Sequence, residues 1–357
     1  MAVSLWVAAA LLLLSPAAAL AHPAGVQAAV DYRVRLTALT PPVAGLAVRF
    51  IFDGSRLELR NDTGRTVEVI GYQGEPMLQA RRGGVWHNVR APSLYVDRPA
   101  GAGPAGADVN ATPDWRRVST TSVARWQDHR TLWHGPAPPQ VDADPGREHR
   151  LRDWQVPLRI DQTSAVLTGT LDWIPKPATD AWWLAAVVLA AAIAVLALVR
   201  PTASPRRRHR SRIGLAAAAL ATAAAAIGYP LLVVAANAEP RSGPLALAVL
   251  SQLLPLLAGL ALAAGAVATL AGRNSGGGFL LTVAALALLT FYGLSNAVVL
   301  AHGVAPISTD AIVARVAELV ILGGCGGLLA AGVLAMVRTA HVPAPQPANP
   351  GTGKDYR

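Results

Sequence analysis

The sequence predicts an extracytoplasmic all-β antiparallel sandwich, immunoglobulin-like or cupredoxin-like, followed by a transmembrane bundle of five α-helices. Three observations lead to this fold class. Long apolar runs are concentrated after residue 180, and residues 1–21 have the form of a secretory leader. In the region that lies between them, apolar and polar side chains alternate along short segments. Alternation with a period of two is typical of half-buried strands, whereas runs of about 20 apolar residues can cross a bilayer.

The leader, residues 1–21, is predicted to be a cleaved signal peptide. Its apolar core is followed by the helix-breaking Ser15-Pro16 and by Ala19-Leu20-Ala21, which has the small-x-small form of a signal peptidase site. An uncleaved amino-terminal anchor stays open as an alternative, because no Lys or Arg precedes the apolar core. Cleavage would leave His22, with a free α-amino group, at the start of the mature chain.

Residues 22–178 are predicted to form one β domain of eight or nine strands. In the segment 31–39, apolar side chains lie on one face and arginines on the other, and turns rich in Gly, Asn and Asp separate it from similar runs. Short strands at this spacing are typical of an antiparallel sandwich. The only cysteine of the chain is Cys325, so a metal in this domain would need ligands other than thiolate.

Five apolar runs within residues 179–337 are predicted to span the membrane. They cover residues 182–199, 213–236, 245–271, 279–301 and 311–337. By the positive-inside rule the arginine-rich segment 200–212 is expected to be a cytoplasmic loop. The β domain then lies outside the cytoplasm, and the tail 338–357, expected to be disordered, lies inside it. We therefore expect a multi-pass protein of the plasma membrane in contact with lipid.

The formal net charge of +10 does not indicate nucleic-acid binding. The arginines of residues 200–212 act as a topology signal next to anionic lipid, and the β domain has a nearly even balance of charges. The sequence also contains no Gly-x-Ser-x-Gly, P-loop or His-Glu-x-x-His motif. An enzymatic role is therefore not favoured by any motif, although it is left open.

Histidines of the β domain are the candidate metal ligands. A terminal His22 would offer its α-amine and one ring nitrogen to the same ion, an arrangement that copper(II) favours. Pro23 has no amide hydrogen, so further ligands would have to come from His87, His129 or His134. His129 and His134 are five residues apart and can converge only if the segment bends, as His134-Gly135-Pro136 suggests. Ordinary hydrogen bonding of these rings is the alternative.

A mature start at His22-Pro23 behind an alanine-rich leader, on a β domain joined to membrane helices, resembles the periplasmic copper-binding CopC proteins and their fusions to CopD-type membrane domains. The terminal chelate is also similar to that of the histidine-brace monooxygenases. The resemblance implies copper as cofactor, His22 as a ligand, and a role in copper handling, resistance or delivery. It also implies a copper chaperone or another membrane subunit as partner.

Two alternatives stay open beside copper handling. One is a metal-free, membrane-anchored interaction or assembly protein of the cell envelope. The other is a histidine-brace copper monooxygenase subunit. The composition, rich in Ala and with Arg in excess of Lys, would also suit an actinobacterial membrane-protein family.

Polar and small residues in the last apolar run predict two further features. Arg315 and Glu318 are three residues apart, so they share a helix face and are expected to form a polar pair, with a transport or relay role as the alternative. Gly323 and Gly327 form a small-xxx-small pattern, which predicts close packing against another helix.

Two more groups of residues have open roles. Trp126 and Trp133 flank His129, and they belong either to the packed core or to an aromatic wall around a ligand. His302 and Asp310 lie in the segment between the last two apolar runs, at the membrane surface that faces the β domain. They are a candidate hand-over point between the two parts of the protein.

Overall fold

The computed structural model describes residues 29–51, 56–96, 107–198, 204–237, 250, 252–272 and 274–340. The predicted signal peptide and His22 lie outside these residues, as does the carboxyl-terminal segment 341–357. Within the described ranges, the chain forms an antiparallel β domain followed by five long apolar helices, which is the layout of a multi-pass membrane protein.

The β domain consists of two antiparallel sheets in the described residues. The strands are β1 (Tyr32–Thr40), β2 (Leu46–Ile51), β3 (Arg56–Asn61), β4 (Val67–Ile70), β5 (Pro76–Arg81), β6 (Gly84–Asn88), β7 (Trp115–Ser119), β8 (Val123–Gln127), β9 (His149–Ile160) and β10 (Thr163–Trp173). Seven strands pair in the order β1-β10-β9-β4-β5-β6-β7, and three pair in the order β2-β3-β8. β7 and β8 follow each other closely in the chain but belong to different sheets. The strand count exceeds the expected eight or nine.

The two sheets share one hydrophobic core. Leu59 of β3 and Trp126 of β8 belong to the same buried cluster as Val69 of β4 and Leu167 of β10. In β9, buried and exposed side chains alternate from Trp154 to the end of the strand, with the period of two that the sequence pattern predicted. Core packing is thus confirmed for Trp126, whose side chain is 7% exposed.

The membrane part contains five helical spans in the described residues, with mean hydropathy between 1.9 and 2.2. They are α1 (Thr179–Leu196), α2 (Pro205–Asn237), α3 (Leu253–Leu270), α4 (Asn274–Leu288) and α5 (Ala311–Ala340). The fourth span continues beyond α4 through a π turn at Leu289–Gly293, a short helix at Leu294–Asn296 and a 3-10 turn at Ala297–Leu300. The predicted number of spans is confirmed.

The predicted basic loop 200–212 is wrong over residues 205–212, because α2 already begins at Pro205. The backbone N–H groups of Arg207 and Arg208 donate to the carbonyl of Ser204 at 3.0 and 3.1 Å, so Ser204 and Pro205 occupy the positions that favour these residues at a helix start. A helix satisfies the hydrogen bonds of the backbone N–H and C=O groups and still leaves Arg206–Arg210 exposed. Exposure of the basic side chains therefore does not require an irregular loop.

Close packing of α5 on α1 depends on glycine. A Cβ added to Gly323 would lie 2.8 Å from the carbonyl oxygen of Ala186, and one added to Gly327 would lie 2.6 Å from the Cβ of Ile193. Both distances are shorter than van der Waals contact, so a larger residue at either position would push the helices apart. The predicted role of the small-xxx-small pattern is confirmed.

The β domain is seated on the loop between the fourth span and α5, residues 301–310. Val30 and Val304 form an antiparallel β-bridge, with a hydrogen bond of 2.8 Å from the N–H of Val304 to the carbonyl of Val30. Asp31 accepts a hydrogen bond from the N–H of Gly303, and the carbonyl of Asp31 accepts one from Ile174. These contacts hold the start of β1, the end of β10 and the loop together.

Candidate functional sites

The segment after β8 folds into a tight turn around the buried carboxylate of Asp128. Both of its oxygens accept hydrogen bonds of 2.8 Å from the guanidinium of Arg130, and Oδ2 also accepts one of 3.0 Å from Nε1 of Trp126. The backbone N–H of Thr131 donates to the carbonyl of Asp128 at 3.0 Å, which closes the turn. Asp128 thus shapes the segment that carries the neighbouring histidines, and its oxygens are used in doing so.

This turn brings His129 and His134 together. Their ring centroids are 4.2 Å apart and their planes are inclined by 25°, so the two imidazoles are stacked. Gly135 follows with φ of +110°, a conformation that glycine adopts without the cost that a side chain would bring, and it turns the chain away. The bend that convergence required is therefore present. We refer to these two residues as the histidine pair.

Arginine and tyrosine side chains surround the histidine pair. The hydroxyl of Tyr72 accepts a hydrogen bond of 2.9 Å from the backbone N–H of His129, and its ring meets that imidazole edge to face. Arg152 donates to the carbonyl of His129 at 3.3 Å, and the guanidinium of Arg130 lies 4.9 Å from the Tyr72 ring centroid. Two guanidinium groups and the carboxylate of Asp128, which is engaged by Arg130, thus border the segment that carries the pair. An ion bound at the pair would be held by imidazole nitrogen rather than by this carboxylate.

His87 does not join the histidine pair. It lies on β6, opposite Leu78 of β5 and Arg116 of β7. The described residues contain no group of three His, Cys, Asp or Glu side chains that could hold a metal. Burial lowers the pKa of His87 below its ordinary value of 6.5, so the ring is neutral near pH 7. Of the predicted ligands, the described residues therefore bring together only the rings of His129 and His134. His22 lies outside the described part of the chain.

His302 and Asp310, the candidate hand-over residues, take part in the contact between the β domain and the helices. Nδ1 of His302 lies 3.1 Å from Oδ2 of Asp31, without the alignment of a hydrogen bond. Oδ1 of Asp310 accepts a hydrogen bond of 2.9 Å from the N–H of Ile312, so Asp310 caps the first turn of α5. Both residues thus have structural partners at this junction.

A cavity of about 620 Å³ lies at this junction. Its walls combine residues of the β domain, such as Arg33 and Phe50, with Ala236 of α2 and Ala311 of α5. Arg315 also lines it and donates hydrogen bonds of 2.8 and 3.0 Å to the carbonyls of His302 and Gly303 in the loop 301–310. The cavity exists because the β domain is seated on the loop, so neither part forms it alone.

The expected polar pair of Arg315 and Glu318 is wrong. Arg315 is directed to the loop carbonyls, whereas the Glu318 side chain is 0% exposed, and neither of its carboxylate oxygens has a hydrogen-bond partner among the described residues. An offset of three residues places both side chains near one helix face, but Arg315 meets unpaired carbonyls at the helix end. Glu318 lies one turn deeper, where Tyr292 and Gly293 of the π turn pack.

Sequence reasoning did not identify several residues of these sites. Tyr72 and Arg152 are far from the histidine pair in the chain, and no local pattern connects them with it. In the sequence, Asp31 is distinguished only as the first residue of a predicted strand. Tyr229 and Tyr292 could have been identified from the sequence as candidate functional residues, because each places a polar phenol within an apolar run that spans the membrane.

The fold and the sites together define a multi-pass membrane protein with an antiparallel β domain, a stacked histidine pair in that domain and a buried acid among its helices. Comparison of the chain with protein families, curated proteins and solved structures found no match. Its function is therefore argued from its own residues.

Proposed function

We propose that the protein is a membrane-anchored copper-handling protein whose extracytoplasmic β domain binds copper at the histidine pair. The observation that carries this proposal is the stacking of His129 on His134, with ring centroids 4.2 Å apart. Imidazole nitrogen is a ligand well suited to copper, and two rings presented by one rigid turn lower the entropic cost of collecting them.

Copper binding by the pair requires one of the stacked rings to rotate. Planes inclined by 25° keep the nitrogen lone pairs in nearly parallel planes, so one ring must rotate before both nitrogens can meet a single ion. His134 is exposed to solvent, which leaves room for this rotation, whereas the backbone of His129 is held by Tyr72 and Arg152. After removal of the leader, the α-amine and the ring of His22 would provide a third and a fourth ligand.

The seating of the β domain supports a handling role. The bridge between Val30 and Val304 keeps the domain next to the membrane helices. A copper ion held there would be presented to another membrane subunit or accepted from a chaperone at the bilayer surface. Any such transfer would involve neutral imidazole ligands, which release copper more readily than thiolates do.

Copper titration of the full-length protein in detergent tests the proposal. Copper(I), under anaerobic conditions with a competing chelator, and copper(II) are each titrated into the wild type and the variants His129→Ala and His134→Ala. Each variant is expected to bind copper at least about tenfold more weakly, a loss of about 1.4 kcal/mol or more. His149→Ala is the matched control, because Nε2 of His149 is already hydrogen-bonded to the carbonyl of Asp144 at 2.6 Å.

Unchanged copper affinity in both variants would remove the proposal and leave the metal-free interaction protein as the better reading. Sequencing of the amino terminus of the same sample separates the contribution of His22 from that of the pair. A chain beginning at His22 is expected to lose affinity on His22→Ala as well. A retained leader would exclude the terminal chelate while leaving the test of the pair valid.

A further inference from the structure

Glu318 is the only acidic residue of α5, and it lies in the interior of the helical bundle. Its side chain is 0% exposed, and neither Oε1 nor Oε2 has a hydrogen-bond partner among the described residues. Arginine, the expected partner, is occupied elsewhere. An ionised carboxylate in such a place has neither water nor a donor to stabilise it, so the site is built for the neutral acid.

Irregular helix geometry occurs directly beside this acid. The π turn Leu289–Gly293 interrupts the fourth span, and a Cβ added to Gly293 would lie 3.7 Å from Oε1 of Glu318. Single π turns within helices occur frequently at functional sites, because they shift the side chains of one turn out of the regular pattern. Here the shifted turn carries Tyr292, whose ring is in edge-to-face contact with Tyr229 of α2.

The same level of α2 is also irregular. Pro230 follows Tyr229 and has no N–H, so it cannot bond to the carbonyl of Ala226 as a regular helix residue would. Tyr229 and Ala226 are both buried, at 2% and 0% exposure. The hydrogen-bond pattern of two helices, α2 and the fourth span, is therefore interrupted at the depth of the buried acid.

A route from water leads towards Glu318. The cavity at the junction of the two domains is lined by the exposed residues 308–310, so water enters it, and Arg315 and Ala236 form part of its wall. Arg315 precedes Glu318 by three residues, which is about one helical turn of 5 Å. Ala236 follows Tyr229 by seven residues, two turns along the same face of α2. Along α5, a residue of the cavity wall thus lies about one turn from the position of the buried acid.

We infer that Glu318 is a reversible proton-binding site inside the bundle, loaded through this cavity from the side of the membrane that carries the β domain. A proton that enters through the cavity adds to one carboxylate oxygen of Glu318 to give the neutral acid, and it leaves by cleavage of the same O–H bond. None of the proposed copper ligands takes part in this proton binding, which is a separate function of the helical bundle.

Few titratable groups lie next to Glu318 among the described residues. They are Tyr292 of the π turn and Cys325 of α5, and Tyr229 of α2 lies behind Tyr292 in edge-to-face contact with it. The sequences of α3 and α4 contain no ionisable side chain, and α1 contains only Asp180, exposed in its first turn. Arg315 is the one basic residue of α5 within a helical turn of Glu318 along the chain, and its guanidinium is directed to the carbonyls of His302 and Gly303 beside the cavity.

Labelling with dicyclohexylcarbodiimide tests proton binding. This apolar reagent accepts the proton of a buried carboxylic acid on one nitrogen while the carboxylate oxygen adds to its central carbon, and the adduct is located by peptide mass spectrometry. Full-length protein in liposomes is expected to be labelled at Glu318, less so as the pH rises, and Glu318→Gln is expected to lose this adduct. Asp180, exposed at the start of α1, is the internal control and should remain unlabelled.

Infrared difference spectra between acid and alkaline pH provide a second readout that does not depend on access of the reagent. The wild type is expected to show a carboxylic-acid carbonyl band that disappears at high pH and is absent from Glu318→Gln. Absence of both the adduct and the band in a folded wild-type protein would overturn the inference. Suppression of labelling by sodium or potassium ions at constant pH would also overturn it, by assigning the site to a metal cation.

The route is tested by filling the cavity. Ala236→Phe places an aromatic ring in the wall of the cavity, two turns of α2 beyond Tyr229, and it is expected to slow labelling by a water-soluble carbodiimide several-fold. Val188→Phe is the matched control, because Val188 is 59% exposed on the outer face of α1 and the change should leave the rate unaltered. An unchanged rate in Ala236→Phe would exclude loading through the cavity.

Discussion

The backbone N–H of Gly303 donates a hydrogen bond of 2.9 Å to Oδ1 of Asp31, although the two residues are 272 positions apart. Asp31 precedes the first strand, and Gly303 lies in the loop before the last membrane helix. Oδ2 of the same carboxylate lies 3.7 Å from Nζ of Lys176. The buried Asp31 side chain thus connects the start of the β domain with Lys176, in the link to α1, and with the loop 301–310. Arg315 donates hydrogen bonds to two carbonyls of the same loop.

Replacement of Asp31 by Ala is expected to loosen this junction. The change removes the acceptor of the Gly303 N–H and leaves a buried donor unsatisfied, which costs about 1 to 3 kcal/mol. Hydrogen–deuterium exchange in residues 301–310 should become faster, and the free energy of unfolding should fall. Asp153→Ala is the control, because the Asp153 side chain is 76% exposed and should change the stability by less than about 0.5 kcal/mol. Unaltered exchange in the loop would show that Asp31 does not hold the domains together.

The turn that carries the histidine pair should depend on Asp128. Asp128→Ala leaves the indole N–H of Trp126 without its acceptor and leaves Arg130 with only the carbonyl of Ile70, and a loss of about 2 to 4 kcal/mol in unfolding free energy is expected. Copper affinity at the pair should fall as well, since the two rings lose the turn that aligns them. Asp142→Ala, at an exposed position in the same domain, serves as the control. Equal stability of the two variants would contradict this role.

Helix packing in the membrane should be sensitive to Gly327. The change Gly327→Ala places a Cβ 2.6 Å from that of Ile193, so α1 must move, and overpacking of this kind costs about 1 to 3 kcal/mol. Thermal unfolding in detergent would measure the loss. Gly228→Ala in α2 is the matched control, because its added Cβ meets nothing within 4 Å and alanine favours a helix. A stability loss of the same size in both variants would argue against the packing explanation.

His87 should make the stability of the β domain sensitive to acid. Burial lowers the pKa of the folded-state ring below 6.5, so between these two values the unfolded chain binds more protons than the folded one. The folded state is therefore fully favoured above pH 6.5 and loses stability as the pH falls. His87→Gln should retain more of its stability between pH 7.5 and 5.5, about one unit to either side of that value, than the wild type does. His149→Gln is the comparison variant, and identical pH profiles for wild type and His87→Gln would exclude this effect.

The pattern of the sequence was sufficient for the two domains and for most of their elements. In β9, alternating residues from Trp154 to Ile160 specify a strand with one buried face, and five apolar runs specify the helical spans. Both signals are local, because a period of two or an apolar length can be read within a dozen or two residues. The small-xxx-small pattern of Gly323 and Gly327 was readable for the same reason, although its partner helix was not.

The candidate sites were less accessible to sequence reasoning, because they depend on contacts between distant segments. Convergence of His129 and His134 required a bend whose cause is the buried Asp128, with Tyr72 and Arg152 as support. The spacing of the histidines showed only that a bend was necessary.

By itself the sequence determined that this chain has a β domain followed by five apolar spans, because hydrophobic periodicity and run length are properties of neighbouring residues. Only the tertiary structure decided what the polar residues do. Arg315 and Glu318 share a helix face, yet one binds the loop carbonyls and the other is buried without a hydrogen-bond partner in the described part of the chain. The physical reason is that a polar group forms its hydrogen bond with whichever partner the packing of other elements brings within reach. At Asp31 that partner is the N–H of Gly303, which is 272 residues away in the chain.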